Sequence, residues 1–95
     1  MEKLEYIKKV IQRVAKRYKP KEVWIFGSAL RDYNNAKDID IGIRGMDRDF
    51  LRLSADLVIA LKDKIHKRID VVPIDWLREK KIFMECIREE GERLL

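Results

Sequence analysis

Hydrophobic positions along this chain switch between two periods, and the switches mark its elements. Leu4, Ile7, Val10, Ile11, Val14 and Tyr18 recur at steps of three and four, which makes one stripe of a helix. Lys8, Lys9, Gln12, Arg13, Lys16 and Arg17 fill the other face. Pro20 stops the helix, because the residue before a proline is pushed out of the helical region. Glu22-Val23-Trp24-Ile25-Phe26, ended by Gly27, is a short β-branched and aromatic run and reads as a buried strand. Ser28 to Asp32 fits a short helix with Ser28 near its N-terminus, and the Asn34-Asn35 pair marks a loop over residues 33–37.

The period then becomes strictly two. In Asp38-Ile39-Asp40-Ile41-Gly42-Ile43 the isoleucines share one face of a strand, and Asp38, Asp40 and Gly42 share the other. Asp47 or Asp49 can cap a second long helix with Phe50, Leu53, Leu57, Val58, Leu61 and Ile65 as its buried stripe. His66 falls at the end of that helix, where a cation suits the dipole. Ile69-Asp70-Val71-Val72, closed by Pro73, reads as a third strand. Asp75 can cap a last helix from about Trp76 to Glu90, with Leu77, Phe83, Cys86 and Ile87 inward and Gly91 as its C-cap. Glu92 to Leu95 forms an edge strand or a tail. The order is α-β-(short α)-β-α-β-α, an α+β fold in which helices flank a small mixed sheet.

Composition narrows the class. The 95 residues, 46% hydrophobic and 41% charged, suit one small domain with a highly charged surface, and the whole of residues 1–95 is expected to form it. No run of about 18 apolar residues exists, so no membrane span is expected, and the charged, helix-patterned start is not a signal peptide. The single cysteine, Cys86, excludes a disulfide framework and a Cys-rich zinc site, and the cytoplasm is the expected location. The net charge of +5 permits an anionic partner. The abundance of Lys, Arg and Glu equally fits a surface laced with ion pairs, so charge does not by itself name that partner. No glycine-rich nucleotide fingerprint of the GxxxxGK[ST] or GxGxxG kind is present.

The chemistry lies in the acids. Carboxylates at i and i+2 of a strand stand side by side, roughly 6.5–7 Å apart at Cα, and can converge on a divalent cation between them. An isolated Asp-x-Asp reads first as a solvent-facing strand, but Asp38 and Asp40 alternate with isoleucines, which buries the opposite face. Gly42 continues the acid face without a side chain, which implies open space beside the acids. Asp70 interrupts another apolar strand, where an unpartnered buried carboxylate is costly; a cation shared with Asp38 and Asp40, a salt bridge with Arg68 or a place on the exposed sheet face would account for it. Gly27-Ser28 follows a strand and opens a helical turn, an arrangement that attracts phosphate through backbone N–H groups and a hydroxyl but also suits an ordinary turn.

Taken together, Trp24-Ile25-Phe26-Gly27-Ser28, Asp38-Ile39-Asp40-Ile41 and Ile69-Asp70-Val71 resemble the signature of the polymerase β-type nucleotidyltransferases. Arg31 matches the arginine that often follows Gly-Ser in small members, and the ending from Ile87 to Leu95 also looks like theirs. The likeness spans nearly the whole chain and is greatest to the minimal nucleotidyltransferases, small domains often paired with HEPN-domain proteins in toxin–antitoxin modules. Asp32 departs from the glycine that commonly follows the arginine.

The resemblance implies roles. Gly27 and Ser28 would hold the triphosphate of an NTP. Asp38 and Asp40 would bind Mg2+, two ions in all, and Asp70 would ligate the catalytic ion and help deprotonate the acceptor hydroxyl. Arg31 would grip phosphate as a fork, or pair with Asp32 or another surface acid. The implied activity is transfer of AMP from ATP to a hydroxyl of a partner protein, a HEPN-like helical toxin that the transfer would silence. The acceptor would come on that partner or be held by another copy of this chain. The alternative is a non-catalytic, nucleotide-binding antitoxin that inhibits by binding. Direct nucleic-acid binding is not expected, since an aromatic platform is missing.

Overall fold

The computed structural model describes residues 3–46 and 48–95. Helix α1 (Lys3–Lys16) leads into strand β1 (Glu22–Phe26), the short helix α2 (Ser28–Arg31) and a 3-10 turn at Tyr33–Asn35. Strand β2 (Asp38–Arg44), helix α3 (Phe50–Lys62), strand β3 (Arg68–Pro73), a 3-10 turn at Ile74–Trp76, helix α4 (Lys80–Glu90) and strand β4 (Glu92–Arg93) follow. The four strands form one sheet in the order β3-β2-β1-β4. β1 is antiparallel to β2 and β4, and β2 is parallel to β3, so the sheet is mixed, as expected. Among the described residues, no helix is long and apolar enough to cross a membrane.

Register sorts the side chains. Ile25 faces Ile41 and Val23 faces Ile43 across β1–β2, while Ile39 and Ile41 face Ile69 and Val71 across β2–β3. These residues form one apolar face, on which α1 lays Ile7, Val10, Ile11 and Val14 and α3 lays Phe50, Leu53, Leu57 and Leu61. Burial of these side chains is the main force holding the helices to the sheet. The opposite face carries Trp24, Phe26, Asp38, Asp40, Gly42 and Asp70. Helix α4 covers part of it, where Trp24, Ile74, Met84 and Ile87 make a second, smaller core.

Several expectations are corrected by tertiary packing. Val58 is exposed, and Ile65 is buried beyond the end of α3 rather than on it. His66 likewise lies outside that helix, on the surface. Asp49 occupies the N-cap of α3 without a side-chain cap bond, and Asp47 lies outside the described residues. Asp75 caps nothing: it sits in a 3-10 turn, and α4 starts later, at Lys80. Met84 rather than Cys86 turns inward on α4, because the helix meets the sheet on the side of Ile87 and Trp24. Lys8 is drawn inward by Glu5 and by Glu92 of β4, at 2.9 and 2.8 Å, which pins the C-terminal strand to α1. The space expected beside Gly42 is filled: a Cβ there would meet Ile74 Cδ1 at 2.8 Å and Ile87 Cδ1 at 3.3 Å. Gly42 is therefore the seat of the second core.

Candidate active site

Where α4 stops short, the second face of the sheet opens, and the acids lie there. Asp38 and Asp40 occupy the first turn of the pleat in β2, and Asp70 stands directly across from Asp40 in the parallel register. The structure thus places all three acids at one end of one face. Asp38 is opposite Arg68, whose Nε lies 3.0 Å from Asp38 Oδ1 and 3.7 Å from Asp70 Oδ2. Burial first, then the charges of Asp70 and Asp38, push the Asp40 carboxyl above the usual aspartate range, with Arg68 offsetting part of this.

Gly27 closes the site on the β1 side. It takes φ +83°, a left-handed backbone that L side chains rarely adopt. A Cβ at this position would overlap the Asp40 carboxylate itself. Two constraints therefore select glycine, and both bring the turn before α2 against the acid. Ser28, the first residue of α2, is exposed beside this contact. Arg31, at the end of α2, has no ion-pair partner among the described residues. Asp32 does not take it; the Asp32 carboxylate instead accepts a hydrogen bond from Asn35 Nδ2 at 2.7 Å. At φ −154° Asp32 is extended, a conformation open to any residue, so its replacement of glycine leaves the turn unstrained.

A cleft of about 260 Å³ adjoins Gly27 and Arg31, with Phe26, Phe83 and Ile87 as apolar walls and Glu90 at its rim. Phe26 and Phe83 meet edge to face with ring centroids 5.4 Å apart. Sequence reasoning missed this cleft. Phe26 stands two residues from Trp24, on the acid face, and that alternation was a readable signal, but Phe83 reaches it only through the docking angle of α4.

A family model described as "Polymerase beta, Nucleotidyltransferase" matches residues 8–95. The chain belongs to this family. Among curated proteins, none matches. Among solved structures, this nucleotidyltransferase-family chain is similar in fold to one described as a toxin–antitoxin with AMP-PNP, at a TM-score of 0.68 and 21% identity, over 93% of this chain and 72% of that one. It is also similar to the toxin–antitoxin MntA-HepT, at a TM-score of 0.64 and 20% identity, over 96% and 71% of the two chains. A mutant MntA-HpeT structure matches at a TM-score of 0.66 and 18% identity, over 93% and 71%.

The donor set suits the metal that the family implies. Three carboxylates supply hard oxygen ligands of the kind Mg2+ prefers, and the crowding around Asp40 marks a local excess of negative charge. Among the described residues, no three Asp, Glu, His or Cys side chains stand close enough together to hold one metal ion in common. Arg68 holds two of the three instead.

Proposed function

We propose that this chain transfers AMP from ATP to a hydroxyl of a partner protein, and that the partner is a helical toxin silenced by the modification. The observation that carries the reading is the approach of the Asp40 carboxylate to Gly27, so close that no Cβ would fit, which joins the turn before α2 to three acids on one sheet face. The protein complexes among its structural neighbours, one of them with AMP-PNP, support both the partner and the nucleotide.

In this reading the turn at Gly27 and Ser28 receives the triphosphate, and Arg31, which has no acid partner among the described residues, grips it. The apolar cleft at Phe26 and Phe83 lies where it can take the base. Asp38, Asp40 and Asp70 would hold two Mg2+ ions, which would supply charge stabilisation to an in-line displacement. The acceptor oxygen bonds to the α-phosphorus as the bond to the β-phosphate oxygen breaks, and pyrophosphate leaves. Asp70, across from Asp40, takes the acceptor's proton. Positioning and charge stabilisation supply most of the rate, since the protein forms no covalent bond of its own.

Incubation of a helical protein encoded beside this chain with ATP, Mg2+ and this protein tests the reading. The expected result is a partner heavier by one AMP that stays inactive after separation. A partner that is never modified, and that regains activity on separation, overturns it. That outcome supports the second reading, an antitoxin that inhibits by binding. The hold of Arg68 on Asp38 and Asp70 favours the second reading in one respect: it partly satisfies the acids without any metal.

A further inference from the structure

Arg68 is the one basic side chain ion-paired with any of the three acids among the described residues. Its place follows from backbone register rather than from the reach of a long side chain. The two-residue period puts it on the same face as Asp70, and the parallel pairing of β2 with β3 puts it directly opposite Asp38. From there one guanidinium spans two carboxylates, at 3.0 and 3.7 Å. Both distances are from Nε, so one edge of the guanidinium lies between the two carboxylates.

We propose that Arg68 is an internal counter-ion of the acid site: it holds Asp38 and Asp70 while the chain is metal-free, and a divalent cation must displace it to bind. This rests on the reading of the acids as metal ligands. A carboxylate oxygen that accepts a hydrogen bond from the guanidinium has fewer lone pairs for a metal, and two cations cannot share one small site without repulsion. Bare metal ions therefore bind against Arg68. A cation that arrives with a triphosphate brings negative charge of its own, which offers the released guanidinium a new partner. Arg68 thus couples occupancy of the acids to arrival of the nucleotide.

The test measures affinity, not activity. Calorimetric titration of the full chain with Mn2+ alone, at low ionic strength, is compared between the wild type and Arg68→Ala. Arg68→Ala is expected to bind about five-fold more tightly, the ratio given by the roughly 1 kcal/mol upper range of an exposed ion pair. Arg68→Lys should fall between the two, and added salt should shrink the difference. Arg13→Ala, which removes the same charge from α1 beneath the other face, should leave the affinity unchanged. Circular dichroism shows that each variant is folded. In NMR spectra of the wild type, the Arg68 Nε–H resonance should move as Mg2+ is added. Equal or weaker Mn2+ binding by Arg68→Ala, where Asp40→Ala abolishes binding, overturns the role of Arg68 and leaves the metal reading standing. Absence of Mn2+ binding in every protein overturns both.

Discussion

The sheet carries carboxylates at both ends of its second face, and the two groups are treated in opposite ways. At one end, Glu22 is buried between two donors. Trp24 Nε1 gives it a hydrogen bond of 2.9 Å and Arg44 pairs with its other oxygen. Burial opposes its ionisation, but Trp24 and Arg44 outweigh this and hold the carboxyl below the ordinary glutamate range. Nearby, Asp75 accepts the Gly45 N–H at 2.6 Å and pairs with Lys80, which, against its burial, holds that carboxyl low as well. At the other end, Asp40 faces Asp70 and Asp38 and is pushed the other way. The carboxylates that brace the fold are given partners, while Asp40 is left crowded by like charge.

Removing the excess should separate activity from stability most sharply. Asp40→Ala is expected to lower Mg2+-dependent nucleotide transfer by about 10³-fold or more, a loss comparable to removing a main source of transition-state charge stabilisation. The same change relieves like-charge crowding, so the melting temperature should hold or rise. A variant that loses activity only because it melts earlier would erase the contrast between the two ends.

The partnered end should behave in reverse. Glu22→Ala leaves the Trp24 N–H without its acceptor and Arg44 without its pair, at an expected cost of about 2–3 kcal/mol in denaturant unfolding. Nucleotide and metal affinities should stay within two-fold of wild type, roughly the scatter expected for a distant, uncoupled site. Asp75 offers a milder version, since its Lys80 partner is more exposed.

Between the two ends, Gly42 marks the boundary of the closed region. Gly42→Val would drive methyl groups into Ile74 and Ile87, at an expected cost of about 1–2 kcal/mol. Were the strand open at this point, valine would raise stability through its β-propensity, so the sign of the change measured by thermal unfolding locates where the cleft begins.

Much of this was legible in the sequence because the signals were local. The steps of Ile7, Val10, Ile11 and Val14, the alternation of Ile39, Ile41 and Ile43 and the Gly27 turn each specify an element with no help from elsewhere. What was not legible depended on the third dimension. Glu92 to Leu95 read as either an edge strand or a tail, and only the pairing of Glu92 and Arg93 with β1 decides for the strand. Asp75 has the look of a helix cap, but the Gly45 N–H and Lys80 claim it. At Gly42 the missing side chain read as space, while the space belonged to Ile74 and Ile87. The acid face could be read from period two, whereas the meeting of Asp38 with Arg68 required the parallel register.

The smallest expected effect is in the acid limb of stability, measured on the metal-free protein with a chelator present. Glu22 and Asp75 have depressed folded-state values, so the stability they supply is complete above their unfolded values, near 4.3 and 3.9, and is lost as pH falls through the folded ones. Asp40 runs the other way. Its folded value is raised, so its contribution is present below the unfolded value and is lost as pH rises through the folded one. Thermal unfolding of the wild type should therefore stay level from neutral pH down to about 5 and fall below about 4. Glu22→Gln should flatten that fall, because a group that binds a proton more readily in the unfolded state is gone. Asp40→Asn should steepen it, because a carboxylate that binds a proton more readily in the folded state is gone. Equal slopes in the two variants would mean that the carboxylates at the two ends of the face are held alike, and the division between fold and site would have to be drawn elsewhere.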